Sequence, residues 1–554
     1  MISISILVAT IIAVALTERS VEHLPFAVAA LLFNAALFLV FLGDAERAIL
    51  LSGMLAVAIA GISSVKFDHS ALKLTFSDLP LAFAGTVPFF VLQYPRMMLG
   101  VLAGAALFVF ASGAVLLYAA GPAIPVAVRI LLLVLALIGF AWASASKSTA
   151  LLRLTLTQGR SFYATFMASL VDPACWRQFG ALALSDIASE PLPLREAVPA
   201  RSACSPDIIV IQHESVFDPR IFGLPVEPSV ESFLSPPDAE SGRLNVDIFG
   251  GGSWQSEFSL LTGLSSASFG SSAYYLFQKG AGRFHSSLPR SLASLGYQTS
   301  LISSCRRGFL SYDKFYGTIG IDERIFVDEL PPPFDAGRFE ETNSDAVFLD
   351  AVINAYAKRV AHDPTPRFLY ALTNFNHGPH NRQLVPSGQF EKERAFAAAS
   401  FPDAGYVEYY TRLAETASVW KTLRARLASS FPERPILIVH YGDHQPVLTK
   451  QIDRQLKGSD DDRRPFGTFY AIEALNIPHF TPGRGADLDI AFLGTVALQR
   501  AGIALDPIFA TRASLLEDCG EAYFASSSER KRRFHRTLVD LGLIDLMPRA
   551  RQAR

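Results

Sequence analysis

The stretch Asp207-Ile-Ile-Val-Ile-Gln-His-Glu-Ser215 is β-branched and apolar at its centre and ends on a carboxylate. β-Branched side chains pack well on a pleated surface, so the run reads as a short buried strand. Comparable runs recur at Thr299–Ser303, Arg324–Val327, Arg367–Leu372 and Pro435–His440. Helical stretches lie between several of them, at Ser286–Leu295, Ser344–Arg359 and Tyr406–Leu427. That alternation predicts an α/β domain with a mostly parallel sheet over residues 205–554. Ligands of such sheets bind beyond the carboxyl ends of the strands. Polar residues just past an apolar run are therefore the candidates for chemistry.

Three runs end that way. The first delivers Glu214; His213 beside it points to the opposite side of an extended chain. The second, Phe368–Thr373, leads into Asn374-Phe-Asn-His377-Gly-Pro-His380, where His377 sits between small and turn-forming residues and is the candidate; His380 reads as structural. The third leads into Tyr441-Gly-Asp443-His444-Gln-Pro446. A fourth signal is Asn245-Val-Asp-Ile-Phe-Gly250-Gly-Gly-Ser253-Trp-Gln-Ser-Glu-Phe-Ser-Leu-Leu-Thr-Gly263, three glycines opening a helix whose first turn carries Ser253. A helix N-terminus offers unpaired N–H groups and a positive dipole end suited to an anion, and a serine there could attack an ester. The same spacing also fits a Ser253 N-cap with Ser256 or Glu257 completing a capping box. Glu214, Ser253, Asp443 and His444 together make a mixed oxygen and nitrogen donor set for one divalent cation, and such a set fits Mn²⁺, Mg²⁺ or Zn²⁺ alike.

Outside this region the composition changes. Half of the 554 residues are hydrophobic and only 18% charged, with a mean hydropathy of +0.29, against roughly a quarter charged in soluble proteins. Apolar runs at Ile2–Thr17, His23–Gly43, Ile49–Val65, Met98–Ala119 and Val126–Ala145 read as about five membrane helices over residues 1–146,. Pro80–Tyr94 is apolar but broken by Pro88, and reads as interfacial or re-entrant. Residues 147–204 read as a juxtamembrane helix and linker. A net charge of −2 gives no footprint for nucleic acid,. Cys175, Cys204, Cys305 and Cys519 are scattered, which excludes a zinc ribbon or a disulfide scaffold,. Glu529–Arg533 reads as a solvated charge run. Arg129, near the start of the fifth run, can snorkel and does not suggest a transport path.

With these motifs assembled, the chain resembles the lipoteichoic acid synthase and phosphoglycerol transferase family, sulfatase-like members of the alkaline phosphatase superfamily. The resemblance covers the membrane region, including Lys66 and Phe76-Ser-Asp-Leu79, and the whole soluble domain. The family's strand-borne metal ligand matches Glu214, and its FGGG-[ST]-x-x-x-EF…LTG block matches Phe249–Gly263, with Ser253 as nucleophile. Its NH-x-P loop matches Asn376–Pro379 and its GDH motif Gly442–His444. The family's headgroup-binding His, Trp and Arg fall on Ser303, Leu310 and Tyr312, a departure with Arg306 and Arg307 as nearby cations.

The resemblance implies a multi-pass plasma-membrane phosphotransferase that also allows hydrolysis, its catalytic domain periplasmic or extracellular. Ser253 and His377 are the expected catalytic residues, and Trp254, Arg306, Arg307, Tyr312 and His377 the expected substrate contacts. A phospholipid donor and an envelope glycan or lipid acceptor are the implied partners. That sidedness places Lys66, Lys73, Arg96 and Lys147 outside, against the positive-inside tendency. A sulfatase's Cys/Ser-x-Pro-x-Arg pattern does not follow Ser253, and phosphoethanolamine transferases usually carry more cysteines. An inactive scaffold on the same fold is the alternative of another class.

Overall fold

A helix that is apolar on every side must be covered by protein or lipid, and the N-terminal third of the chain consists of such helices. The structure, a computed structural model, describes residues 2–18, 21–70, 73–76, 78–81, 95–146, 161–171, 182, 184, 186–201, 205–307, 311–330, 343–361, 363–456, 463–477, 480–483 and 485–547. Two compact units divide the chain, Met1–Gly180 and Ala181–Arg554.

The first unit contains α1 (Ile2–Thr17), α2 (Leu24–Leu42), α3 (Ala45–Ser70), α4 (Pro95–Tyr118), α5 (Val126–Ser144) and α6 (Phe162–Leu170). Among the described residues, four segments and not five are long and apolar enough to cross a membrane: Leu24–Leu42, Ala45–Phe67, Met98–Tyr118 and Val126–Ser144. At 16 residues, α1 rises only about 24 Å against a hydrocarbon thickness of ~30 Å. Small residues let these helices approach closely: Ala27, Ala30 and Ala56 are buried, while Phe26 and Phe33 stack on Phe140.

The expected linker over 147–204 is divided differently, because α6 is buried along Phe162–Ser169 inside the membrane unit. Glu18 explains its start. The Glu18 carboxylate accepts from the Tyr163 and Ala164 N–H groups at 2.6 and 3.3 Å, satisfying donors that a helix start leaves open. Arg129 donates to the Ile124 and Val40 carbonyls at 2.6 and 3.4 Å. It thus covers the C-terminal end of α2. Lys66 pairs with Asp78 at 2.8 Å. Most of the expected interfacial segment (82–94), Lys147, Cys175 and Cys204 lie outside the described residues.

The second unit is built on an eight-stranded sheet: β1 (Asp207–His213), β2 (Glu240–Asn245), β3 (Gln298–Ser303), β4 (Glu323–Phe326), β5 (Arg367–Leu372), β6 (Ile436–Gly442), β7 (Gly467–Leu475) and β8 (Leu488–Asp489). The order is β4-β3-β5-β1-β6-β7-β2-β8, with β7 alone antiparallel to its neighbours. Every residue of β1 is buried, as a strand covered on both faces requires. Ile208 and Val210 face one hydrophobic cluster, and Ile209 and Ile211 the other. Glu529–Arg533 is not uniformly solvated. It opens a helix, Glu529–Asp540, in which Lys531 is buried and donates to the Tyr523 and Ser526 carbonyls.

Candidate active site

β1 and β6 are paired in parallel, with His213 opposite Gly442. Equal register means that Glu214 and Asp443, each the next residue, leave the sheet side by side. Gly442 is required there: a Cβ would lie 1.8 Å from the Val216 carbonyl oxygen. Gly250, Gly251 and Gly252 have φ values of 78°, 142° and 96°, which glycine adopts without strain, and they turn the chain into α7 (Ser253–Thr262). Gly252 is the N-cap, with no side-chain cap hydrogen bond, so the capping-box reading of Ser253 does not hold.

Ser253 instead turns to the strand ends. Its Oγ donates to Glu214 Oε2 at 2.7 Å and stands 3.3 Å from His444 Nε2. Ligand atoms of Glu214, Asp443 and His444 all lie within 4.8 Å of one another, and all three residues are buried. His444 Nδ1 lies 3.1 Å from the Gln445 carbonyl, which can only accept; Nδ1 therefore carries hydrogen and Nε2 faces the site, as a ligand imidazole needs. Ser215 holds both carboxylates, its N–H on Asp443 at 2.7 Å and its Oγ on Glu214 at 2.8 Å.

Two buried carboxylates this close oppose each other. Burial raises the Asp443 carboxyl first and the Glu214 charge raises it further. Glu214 is held below the ordinary range because the His444 charge and hydrogen bonds overcome its burial. Burial would lower His444, yet Asp443 and Glu214 outweigh it and lift the imidazole to about 9. Among the described residues, the ion-pair partner of both carboxylates is His444. A divalent cation fits this arrangement: it replaces the protons and relieves the repulsion. The four donors that converge are those of Glu214, Ser253, Asp443 and His444.

The His377 loop follows β5 and is held by α8 (Ala404–Ser430). Arg412, fully buried, donates to the carbonyls of Phe375, His377 and Arg382 at 3.4, 3.0 and 2.6 Å and pairs with Glu408 at 2.8 Å. His377 is half-buried, and its Nδ1 donates to the Gly378 carbonyl at 2.6 Å, leaving Nε2 unengaged by that bond. His380 is buried with Nε2 on the Asn376 carbonyl at 2.9 Å.

Three expected substrate contacts have side chains already engaged by protein partners. Arg307 is held by Asp313 at 2.6 Å and Glu329 at 2.7 Å, so its charge is already met by two carboxylates. Tyr312 is buried in the core with its ring against Phe277 and Tyr316. Trp254 is buried and donates to the Tyr274 carbonyl at 2.7 Å. Arg306 is half-exposed, and Leu310 lies outside the described residues. Thr373 also belongs to the site, its Oγ1 accepting from the Glu214 N–H at 3.4 Å, and neither Thr373 nor Ser215 carries a signal in the sequence. Gln212 is polar inside an apolar strand on the same side as Glu214, and that was the available signal.

Residues 206–468 match the family described as sulfatase. Curated relatives include an uncharacterized protein of Haemophilus influenzae, 24% identical over 314 residues, covering 56% of this chain and 56% of that protein. Another is the capsular polysaccharide biosynthesis protein RkpI of Rhizobium meliloti, 27% identical over 252 residues, covering 45% and 43%. The chain spans about half the length of the curated relatives it matches. Similar solved structures include the Streptococcus pyogenes phosphoglycerol transferase GacH in complex with sn-glycerol-1-phosphate, 17% identical with a TM-score of 0.46 over 61% of this chain and 85% of that one. The Neisseria meningitidis lipooligosaccharide phosphoethanolamine transferase EptA is 12% identical with a TM-score of 0.48, covering 95% of this chain and 98% of its own. Glu214, Ser253, His377, Asp443 and His444 all fall inside the residues that match that family.

Proposed function

We propose that this chain is a membrane-anchored transferase. It takes a phosphorylated headgroup, phosphoglycerol-like, from a phospholipid and passes it to a hydroxyl of an envelope glycan or lipid through a phospho-Ser253 intermediate. The observation that carries the reading is Ser253 Oγ at the start of α7, 2.7 Å from Glu214 Oε2 and 3.3 Å from His444 Nε2. A capsular polysaccharide biosynthesis protein among the relatives supports an envelope glycan as acceptor. The soluble unit belongs on the periplasmic or extracellular side in this reading, where lipid headgroup and envelope hydroxyl meet.

When held by Glu214, Ser253, Asp443 and His444, a divalent cation, Mn²⁺ before Mg²⁺ or Zn²⁺, supplies positive charge that acidifies the serine hydroxyl and offsets charge on the phosphoryl oxygens. Ser253 Oγ, its proton released to water as the site takes up the cation, attacks phosphorus. The bond from phosphorus to the diacylglycerol oxygen breaks, and that oxygen takes a proton from the His377 nitrogen not engaged by Gly378. The N–H groups of the first turn of α7 stabilise the charge on the remaining oxygens. In the second step the acceptor hydroxyl gives its proton to the same His377 nitrogen and attacks phosphorus. The phosphorus–Oγ bond breaks and Ser253 is restored. Proton transfer by His377 contributes roughly 10²–10⁴-fold.

Intact-mass spectrometry of the purified full chain after incubation with labelled phospholipids tests this. A headgroup adduct in the wild type that is absent from Ser253→Ala is the expected result. No adduct with any lipid, at normal metal content, would overturn the transferase reading in favour of a scaffold.

A further inference from the structure

Beneath the four converging donors lies a second polar layer that the reaction does not use. Gln212 and Glu257 are both buried within it, with the hydroxyls of Tyr316, Tyr370 and Tyr441 around them. The Gln212 Oε1 atom stands 2.8 Å from Tyr370 OH and 2.5 Å from Tyr441 OH, and the two hydroxyls are 2.8 Å apart. The Gln212 Nε2 atom faces the other way, donating to Asp443 Oδ2 at 3.3 Å and to Glu257 Oε1 at 3.5 Å. Flipping the amide would set its oxygen against the Asp443 carboxylate, so the tyrosines and the aspartate enforce one orientation. Tyr316 OH donates to the second Glu257 oxygen.

Glu257 also ties this layer to the nucleophile. Ser253, Ser256 and Glu257 stand at i, i+3 and i+4 of α7 and share one face. Ser256 Oγ donates to the Asp443 carbonyl at 2.6 Å. One face of α7 therefore meets the strand ends at three points: a hydroxyl on Glu214, a hydroxyl on the Asp443 backbone, and a carboxyl on the amide that reaches the Asp443 side chain. Burial raises the Glu257 carboxyl to about 8, with the Asp443 and Glu214 charges adding to it.

We propose that Gln212 and Glu257 are positioning residues of the metal centre: the Gln212 amide, oriented by the Tyr370–Tyr441 hydroxyl pair, holds Asp443 in place and locks it to the helix that carries Ser253 through Glu257. The inference rests on the metal centre of the proposed function and not on its substrate. Ligand-orienting groups of this kind change metal affinity by about 10–100-fold when removed.

The test measures Mn²⁺ affinity of the purified full chain in detergent by competition with a chelator, alongside the melting temperature of the metal-free protein. Gln212→Leu and Glu257→Leu should weaken Mn²⁺ by about 10–100-fold. Glu257→Gln, which keeps an acceptor for Gln212 and offers an N–H that the Tyr316 hydroxyl can turn to accept, should restore wild-type affinity. The Tyr370→Phe/Tyr441→Phe pair preserves packing and removes the hydroxyls that orient Gln212, so it should also weaken binding. Wild-type affinity in the folded leucine variants overturns the inference; should those variants not fold, wild-type affinity in the phenylalanine pair overturns it. A purely structural role would lower melting without moving affinity, and that outcome also counts against it. Absence of Mn²⁺ binding by the wild type would instead remove the metal centre itself, which the adduct measurement judges separately.

Discussion

Charges are met in two different ways at two places in the molecule, one in each unit. In the membrane unit, Glu18 and Arg129 point at backbone: one meets the open N–H groups of α6, the other the carbonyl end of α2. In the soluble unit, Glu214 and Asp443 point at each other and at one histidine. A charge met by the end of a helix is satisfied by the fold itself. Two carboxylates meeting in a buried site are not satisfied until a proton or a cation arrives, and such stored unfavourable energy marks functional sites. Partners therefore distinguish the two roles where burial does not.

The contrast can be broken in four places. Asp443→Asn should weaken Mn²⁺ binding more than any change behind the ligands, by more than roughly 100-fold, read by chelator competition; retained affinity would mean the cation sits elsewhere. Arg412→Met takes away the 2.8 Å ion pair of Glu408 and leaves it the Leu384 N–H at 2.8 Å and Arg394 at 3.6 Å. It should cost about 3 kcal/mol of stability, measured by denaturant unfolding, with Mn²⁺ affinity kept because Arg412 bonds to Glu408 and to the carbonyls of the His377 loop. An affinity loss would show that the His377 loop shapes the metal centre.

The third place is a pH dependence. Glu257 holds its proton to about pH 8 in the folded chain, against an ordinary value of 4.5. Folding thus binds a proton throughout that window, and stability contributed by the neutral acid is lost as pH rises through it. Between pH 5 and 8, metal-free wild type should lose on the order of 1.4 kcal/mol per pH unit relative to Glu257→Gln. A flat difference would show that Glu257 is ionised in the folded chain. The smallest effect is expected in the membrane unit. Glu18→Gln keeps an acceptor oxygen at the start of α6 and loses only the charge, so it should cost about 1 kcal/mol without changing Mn²⁺ affinity; a change in affinity would erase the distinction between the units.

Some of this architecture could be read directly from residue order. β1, β3 and β6 carry β-branched residues and β5 is an aromatic and aliphatic run, and burial on both faces makes such runs conspicuous. β2, with the sequence Glu-Ser-Gly-Arg-Leu-Asn over Glu240–Asn245, carries no such pattern. It is a strand because β7 and β8 flank it and satisfy its backbone. Ser253 was ambiguous for a similar reason. A serine at a helix start caps or attacks depending on which acceptor comes near, and Glu214 is 39 positions away. Arg307 and Tyr312 looked available near a headgroup site, but Asp313, Glu329 and the ring of Phe277 claim them.

Residue order alone decided that the chain has an apolar helical part and a parallel α/β part, because hydrophobic length and periodicity are local properties. It also decided which residue types stand at strand ends, since each Glu, Asp or His follows its own apolar run. Only the tertiary structure decided that β1 and β6 are neighbours in equal register, bringing positions 214 and 443 together. Only there do Glu18 and α6 meet, and Gln212 and Glu257. Their attraction acts across distances in space that the order of residues does not encode, and the packing of the whole sheet sets them.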